Sequence, residues 1–538
     1  MQYVTLLLFL FGASAISAQQ QHYNIIWITA EDLSPHLGTY GDAIAQTPHL
    51  DRLARQSVRY DRAFANYGVC APARHTLITG MYPTSTGAMA MRTYKRTSAI
   101  ESITDPELLA IPVYEATPPA GVKCFTEYLR AAGYFCTNNA KTDYQFRDPI
   151  TAWDRSDHGA HYRQRPTPKT PFFAVFNSTQ THESRLFEPS SPRVTDPAAV
   201  RVPPYYPDTD TVRQAIARQY DNLHALDRWV GELLAELEAD SLLDRTIVFF
   251  FSDHGDGLPR AKRWVYDSGT RVPLLVRWPD GHGAGSVDTS LVSFVDFAPT
   301  VLALAGLERP EYLQGRVFAG QEASQPPASY VYTFRDRMDP APETIRAVRD
   351  HRFQYVRNYR PELPYLGYIP YRDRLPMMQQ IQTRRRAGTL DATQWQFWAT
   401  SKPLEELYDL QADPDQVHNL AAEPRHFSKL AELRRAHLAF RDRYGDLGML
   451  PESELIKVLW PPEGVQPITA TPTIHRKDDG QLTLDCGSAG ASIAYRWGEA
   501  DRWQLYHRPL VPQKGMVLEV RAIRLGWRES EPLIYRAE

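Results

Sequence analysis

Cysteine is scarce in this chain: four residues in 538, at Cys70, Cys124, Cys136 and Cys486. That is too few for a scaffold held together by disulfides. No apolar run is long enough to span a bilayer. Charge of one sign is not in excess either. Sixty Lys and Arg against 63 Asp and Glu leave a formal net charge of −3. No global field therefore draws the chain to nucleic acid or an acidic membrane, and affinity for an anionic substrate has to come from local basic groups in a pocket. Internal repeats are absent. Met1–Tyr3 contains no Lys or Arg, which is atypical of an export signal, yet the short apolar run Val4–Phe11 and the small residues of Gly12–Ala18 read as one, cleaved between Ala15 and Gln20. The alternative is a buried N-terminal strand. No Cys follows the run, which argues against a bacterial lipid anchor. Export to a periplasmic or extracellular location is expected, and it makes disulfides possible.

Hydrophobic residues at 43% and charged residues at 23% are those of an ordinary globular protein. The length exceeds one typical domain, so a large domain and smaller ones are expected. Strand and helix signals alternate over the first two-thirds, the pattern of a layered α/β domain. Asn24–Thr29, Phe172–Phe176 and Thr246–Phe251 are apolar runs of buried-strand length, and Val212–Ala239 carries apolar residues at helical spacing. Beyond about Gly320 the pattern changes. Ile345–Val356 reads as two antiparallel strands, Glu405–Leu420 as a strand and an Asp- and Pro-marked turn, and Phe427–Tyr444 as a final amphipathic helix. From Leu459 onward, short β-like runs (Ile468–Ile474, Leu482–Cys486, Ser492–Trp497, Val517–Ala522) suggest a small β-sandwich. The expected organisation is an export signal at 1–20, a catalytic α/β domain at 21–320, an α+β subdomain at 321–458 and an accessory β domain at 459–538. Cys124 falls in a helix signal and Cys136 in the strand after it, so a Cys124–Cys136 disulfide is expected, the alternative being two buried free thiols.

Each of the three apolar runs leads into polar residues: Glu31-Asp32, then His182, then Asp253-His254. Ligands of open α/β sheets bind at the carboxyl ends of the strands, so these distant groups are placed to converge there.

Cys70-Ala71-Pro72-Ala73-Arg74, followed by Thr79-Gly80, matches a C-x-P-x-R signature with its trailing Thr-Gly. The chain thus resembles the formylglycine-dependent sulfatases of the alkaline phosphatase superfamily, and the resemblance runs from about Tyr23 to His437. It implies a central mixed β-sheet flanked by helices, and a Cys70 oxidised to formylglycine by a maturation enzyme before folding. Ala73 stands where Ser is frequent. A sulfated Ser or Cys would be slow to hydrolyse, whereas a hydrated aldehyde has a second hydroxyl that can expel sulfate, dividing one hard step into two. By the same resemblance one Ca2+ is held by Glu31, Asp32, Asp253, His254 and the modified Cys70. Glu31 replaces a commoner Asp and His254 a frequent Asn. Calcium tolerates flexible oxygen ligation, and histidine is an uncommon ligand for it.

Arg74, Lys141, His182 and Lys262 match the family's sulfate contacts, with His182 as the group that protonates the leaving oxygen. A helix beginning at Cys70 would add its N-terminal dipole. Asp143 stands where many members have a His that activates the formylglycine hydrate. Three readings stay open: Asp143 takes that role, it recognises substrate, or another His such as His75 or His158 contributes. The Glu31-Asp32 segment, the run around Arg92 and the segment Asp336–Asn358 most resemble the branch containing heparan N-sulfatase and its bacterial relatives. A sulfated glycan is the expected substrate, with Arg92, Lys95, Arg335, Arg337 and Asp339 as candidate contacts. The competing readings are a phosphonate or phosphodiester hydrolase of the same superfamily and a non-catalytic protein that binds sulfated glycans. Trp497, Trp503, Tyr506 and Trp527 could stack on sugars, but core packing is the expected role.

Overall fold

A computed structural model describes residues 23–93, 106–499, 502–512 and 514–537; the expected export signal and Lys95 lie outside them. Eight strands form the central sheet: β1 (Asn24–Ala30), β2 (Ser57–Phe64), β3 (Phe135–Asn139), β4 (Arg155–Ser156), β5 (Phe172–Asn177), β6 (Thr246–Ser252), β7 (Arg271–Arg277) and β8 (Val287–Ser293). Their order is β4-β3-β5-β1-β6-β7-β2-β8. β1 lies between β5 and β6 and pairs with both in parallel. β7 runs antiparallel to β6 and β2.

The central strands are continuous apolar runs because both faces of the sheet are covered. Side chains alternate between faces. Ile25, Trp27, Phe249 and Phe251 enter one core, and Ile26, Ile28, Val248 and Phe250 the other. On the first face lie the helices Cys70–Thr79, Phe125–Ala131 and Phe297–Leu304, through Leu77, Phe125, Leu129, Phe297 and Val301. On the second lies the 30-residue helix Asp210–Ala239, which buries Leu223, Leu226, Val230, Leu233 and Leu237 against the sheet. It begins two residues before the expected start, where the Thr209 hydroxyl accepts from the backbone N–H of Val212 at 3.4 Å.

A second, antiparallel sheet follows: β9 (Val331–Arg335), β10 (Ile345–Arg349), β11 (Phe353–Asn358) and β12 (Glu405–Asp409), in the order β12-β11-β10-β9. The helix Phe427–Tyr444 packs on it through Leu430 and Leu433, which meet Val348, Tyr355 and Leu407. A bridge between Tyr67 and Phe334 ties β9 to the segment leading into the Cys70 helix.

The C-terminal strands are β13 (Thr473–Arg476), β14 (Leu482–Asp485), β15 (Ser492–Trp497), β16 (Gln504–Leu505), β17 (Val517–Ile523) and β18 (Leu533–Arg536). The pair β13-β14 and the sheet β16-β15-β17-β18 share one apolar cluster that includes Leu484, Leu518 and Val520. Trp497 and Tyr506 pack against that cluster. Trp503 is flanked by the guanidinium groups of Arg496 and Arg521, 4.7 and 5.6 Å from its ring centre. This unit is fastened to the large sheet's first face. Arg130 donates to the carbonyl of Trp503 at 3.0 Å, and Lys123, just before the helix Phe125–Ala131, to the hydroxyl of Ser492 at 2.9 Å.

The expected Cys124–Cys136 bridge is not formed. Both are buried free thiols in the same apolar cluster. The Cys136 thiol donates to the carbonyl of Thr126 at 3.8 Å, and burial pushes both thiols well above their ordinary pKa. Mass mapping of the unfolded, unreduced protein is expected to find both cysteines alkylated; a peptide pair linked through them would contradict the structure.

Candidate active site

β1 and β6 are parallel neighbours, so the loops that follow them leave the same edge of the sheet side by side. The first carries Glu31 and Asp32, the second Asp253 and His254, each at most 1% exposed. The Cys70 helix starts beside them, and Cys70 Sγ lies 3.3 Å from His254 Nε2. Ligand atoms of Asp32, Cys70, Asp253 and His254 fall within 4.8 Å of one another, as do those of Glu31, Asp32, Cys70 and His182. Side chains spread over some 220 residues of sequence, from Glu31 to His254, thus meet at one place.

Cations balance the carboxylates. Arg74 Nε donates to Asp253 at 3.0 Å and its NH1 to the Asn177 side-chain oxygen at 2.7 Å. Lys141 Nζ lies 2.8 Å from Glu31, and Lys262 Nζ lies 2.6 Å from Asp32 and 3.3 Å from Glu183. Burial disfavours charge on Asp253, but His254 and Arg74 outweigh it and hold the carboxyl down at about 2. Burial likewise opposes charge on His254, while Asp253 and Asp32 raise its pKa to about 10. His182 accepts at Nδ1 from the backbone N–H of Ser184 at 3.3 Å, which leaves Nε2, 4.0 Å from Glu31, to carry the proton. Burial and Lys262 lower its pKa below the ordinary value.

Three polar atoms at this point lack a hydrogen-bond partner: the buried carboxylate oxygens Glu31 Oε1 and Asp32 Oδ1, and the Arg74 NH2 donor, which lies 3.7 Å from Glu31 Oε1, in ion-pair range but too far for a hydrogen bond. Such groups are costly unless something fills their needs. A divalent cation among Glu31, Asp32, Asp253 and His254 fits the two oxygens, and an anion in front of Arg74 fits the donor.

The structure brings Asp143 to the rim, paired with Arg92 through contacts of 3.2 and 3.4 Å. Burial opposes its ionisation, but Arg92 and Lys141 prevail and lower its pKa. The other proposed histidines are differently engaged. His75 uses both ring nitrogens, on the Tyr144 carbonyl and the Thr86 hydroxyl, each at 2.8 Å, and burial lowers its pKa to about 4. His158 is exposed. Arg337 is committed to Glu452, with one contact at 2.8 Å, so it is spoken for within the fold. Asp339 is half-buried near Arg92 and Arg263. Arg335 is buried against Trp264. Asp32, Arg92, Asp143, Arg263 and Asp339 all hold left-handed backbone, with φ from 49 to 73°. Such strain costs about 1–3 kcal/mol at each position and gathers at functional sites.

Sequence reasoning missed Glu183, Arg263 and Asn177. Glu183 receives Arg263 through two contacts of 2.6 and 2.9 Å and also holds Lys262. Asn177 accepts from Thr29 at 2.7 Å and donates to the Asn138 side chain at 3.0 Å, so it ties three strand ends while aiming Arg74. Their signals were adjacency to His182 and Lys262 and a polar residue closing an apolar run. Replacing Glu183 by Gln breaks a buried pair and leaves Arg263 unmatched. A loss of roughly 3–5 kcal/mol in unfolding free energy is expected from urea titration.

Residues 23–307 match the Sulfatase family model, and residues 259–366 match one described as N-sulphoglucosamine sulphohydrolase, C-terminal. An ulvan-active sulfatase of Formosa agariphila is 40% identical, over 95% of this chain and 90% of its own length. The N-sulphoglucosamine sulphohydrolase of Homo sapiens is 26% identical, over 77% of this chain and 89% of its own. A solved structure in complex with its substrate D-glucosamine-2-N,6-O-disulfate has 17% identity and a TM-score of 0.56, covering 79% of this chain and 98% of that one. The phosphonate monoester hydrolase of Agrobacterium radiobacter has 16% identity and a TM-score of 0.55, covering 87% and 100%.

Proposed function

The chain belongs to the sulfatase family, and from that premise we propose that it hydrolyses sulfate esters, or N-sulfates, of a sulfated polysaccharide or its oligosaccharides, with a nucleophile made from Cys70 and with one bound Ca2+. The observation that carries this is the set of unsatisfied atoms beside Cys70: acceptors on Glu31 and Asp32 suited to a cation and a donor on Arg74 suited to an anion.

Glu31, Asp32, Asp253 and His254 would hold the metal. Their oxygen-rich set suits a hard cation, which would supply Lewis acidity toward a sulfate oxygen. Formylglycine at position 70 would supply a hydrate, one hydroxyl to attack sulfur and a second to release sulfate and restore the aldehyde. Cys70 is 1% exposed in the fold, which favours oxidation of the unfolded chain by a separate maturation enzyme.

The protein's own groups do the rest. Arg74, Lys141 and Lys262 are fixed by carboxylates before substrate arrives, so their donors need no reorganisation to stabilise charge that develops on the sulfate oxygens. His182, with its proton on Nε2, faces the same space and can pass that proton to the leaving oxygen. The N-terminus of the Cys70 helix favours the anion further. Arg92, Asp143 and Asp339 at the rim suit the hydroxyls of a sugar. The substrates named for the ulvan-active and N-sulphoglucosamine relatives favour a saccharide, and the exported location follows from the reading of residues 1–20.

The test is sulfate release from heparan, chondroitin and algal oligosaccharides by protein whose Cys70 peptide is shown by mass spectrometry to carry the aldehyde. Release from at least one is expected, and release from none would overturn the saccharide reading. Faster cleavage of nitrophenyl phosphate than of nitrophenyl sulfate would move the assignment to a phosphoryl hydrolase. Cys70→Ala is expected to lower kcat by at least about three orders of magnitude. Chelation followed by a melting scan reads the metal separately. A fall in Tm that Ca2+ reverses is expected, since a ligand at about 100 times its Kd adds roughly 2.7 kcal/mol of stability.

A further inference from the structure

A guanidinium is always charged, and a buried one is normally matched by a carboxylate or by several carbonyls. Arg335 is 1% exposed and has neither: its Nε and NH1 are buried without a hydrogen-bond partner. It stacks instead on the indole of Trp264, with the guanidinium carbon 3.9 Å from the ring centre. A cation–π contact offsets part of the desolvation and offers no acceptor to the N–H groups.

Three nearby carboxylates are taken. Glu183 holds Arg263 and Lys262. Glu343 is occupied by Lys402 at 2.9 Å and by the backbone N–H of Thr344 at 3.0 Å. Asp373 holds Arg372 at 2.7 Å. Arg335 has no ion-pair partner within hydrogen-bonding reach among the described residues; burial, set against the attraction of the more distant Glu343 and joined by repulsion from Arg372 and Arg263, lowers its pKa to about 10. One positive charge is therefore in excess of the hydrogen-bonded ion pairs formed there.

Position gives the excess a use. Arg335 closes β9, and its neighbour Phe334 donates its backbone N–H to Asn66 at 2.8 Å and bridges Tyr67. Trp264 lies two residues after Lys262, and its backbone packs on Gly68, where a Cβ would come within 2.4 Å of the Trp264 carbonyl oxygen. Arg335 and its indole thus flank the turn that delivers Cys70. Its exposure is comparable with that of Arg74 at 4% and Lys262 at 3%, the groups assigned to the sulfate itself.

We propose that Arg335 is a second anion subsite beside the sulfate pocket, which takes a carboxylate or an additional sulfate of the same saccharide. The proposal rests on the saccharide sulfatase reading and narrows it to substrates with two or more anionic groups. Charge-assisted bonds to a planar guanidinium suit either oxyanion.

Steady-state kinetics of the wild type and Arg335→Gln would be compared on three disaccharides: one monosulfated and otherwise neutral, one monosulfated with a uronate, and one disulfated without a uronate. Arg335→Gln is expected to lower kcat/KM on at least one doubly charged disaccharide by about tenfold more than on the neutral one, mainly through KM, with Arg335→Lys recovering part of the loss. The more sensitive of the two charged substrates identifies the oxyanion. Equal losses on all three, or no loss on either charged one, would overturn the subsite and leave Arg335 as a prop for Trp264. Calorimetric binding of the same disaccharides to Cys70→Ala, with and without Arg335→Gln, reads the subsite without turnover. If the wild type releases no sulfate from any of them, the parent reading fails. Arg335-dependent binding would still stand or fall by itself.

Discussion

The structure turns on one electrostatic problem: three carboxylates, Glu31, Asp32 and Asp253, are held at the carboxyl edge of the sheet with no more than 1% exposure. Like charges this close in a low-dielectric interior cannot all stay ionised without compensation. Arg74, Lys141 and Lys262 supply it, each within hydrogen-bonding range of a carboxylate. The surrounding architecture serves that pairing. β1 and β6 must be adjacent and parallel for their loops to meet. Asn177 must close β5 for Arg74 to be aimed. Glu183 must stand behind Lys262 so that the lysine is not drawn wholly toward Asp32.

A network built this way is poised as well as balanced. The cations are pinned by protein carboxylates, so their remaining donors are oriented in advance, which is the condition for stabilising a charge that grows during a reaction. Arg74 shows this most clearly, with Nε and NH1 used for its own placement and NH2 left without an acceptor. The left-handed backbone at Asp32, Arg92, Asp143, Arg263 and Asp339 belongs to the same economy of design. Strain of that kind persists only where surrounding contacts over-determine it, and the ion pairs of Asp32, Arg92, Asp143 and Arg263 do so.

The apolar strands were legible because both faces of the sheet are covered, which turns alternation into continuous runs such as Thr246–Phe251. The long helix was legible from its 3.6-residue period, and the hairpin of β10 and β11 from its turn. Glu31, Asp32, Cys70, Arg74, Asp253, His254 and Lys262 were found through the resemblance to a family signature; spacing alone showed only that polar residues follow strands. What stayed hidden depends on contacts distant in sequence. Glu183 and Arg263 are 80 residues apart, and Arg337 and Glu452 are 115 apart. No local pattern marks one member of such a pair as needing the other. The Cys124–Cys136 disulfide failed for a related reason. A helix beside its strand brings two cysteines into one core, but apolar packing can satisfy each thiol separately.

Asp143 shows how such a network absorbs a change of residue. A histidine at this place would be a neutral donor and acceptor beside Lys141 and Arg74. A lone carboxylate would alter the charge balance of the corner by a full unit. The pair with Arg92 cancels that unit, so Asp143 and Arg92 together present the same net charge as a neutral imidazole. The chemistry is not the same, however. With its pKa lowered, Asp143 is ionised across the neutral range and can only accept hydrogen bonds. A hydroxyl that meets Asp143, whether on a nucleophile or on a sugar, must therefore be the donor, and any proton delivered to a leaving oxygen has to come from another group; His254 Nε2 is engaged by Asp32 and Cys70, whereas His182 Nε2, 4.0 Å from Glu31, is held less closely.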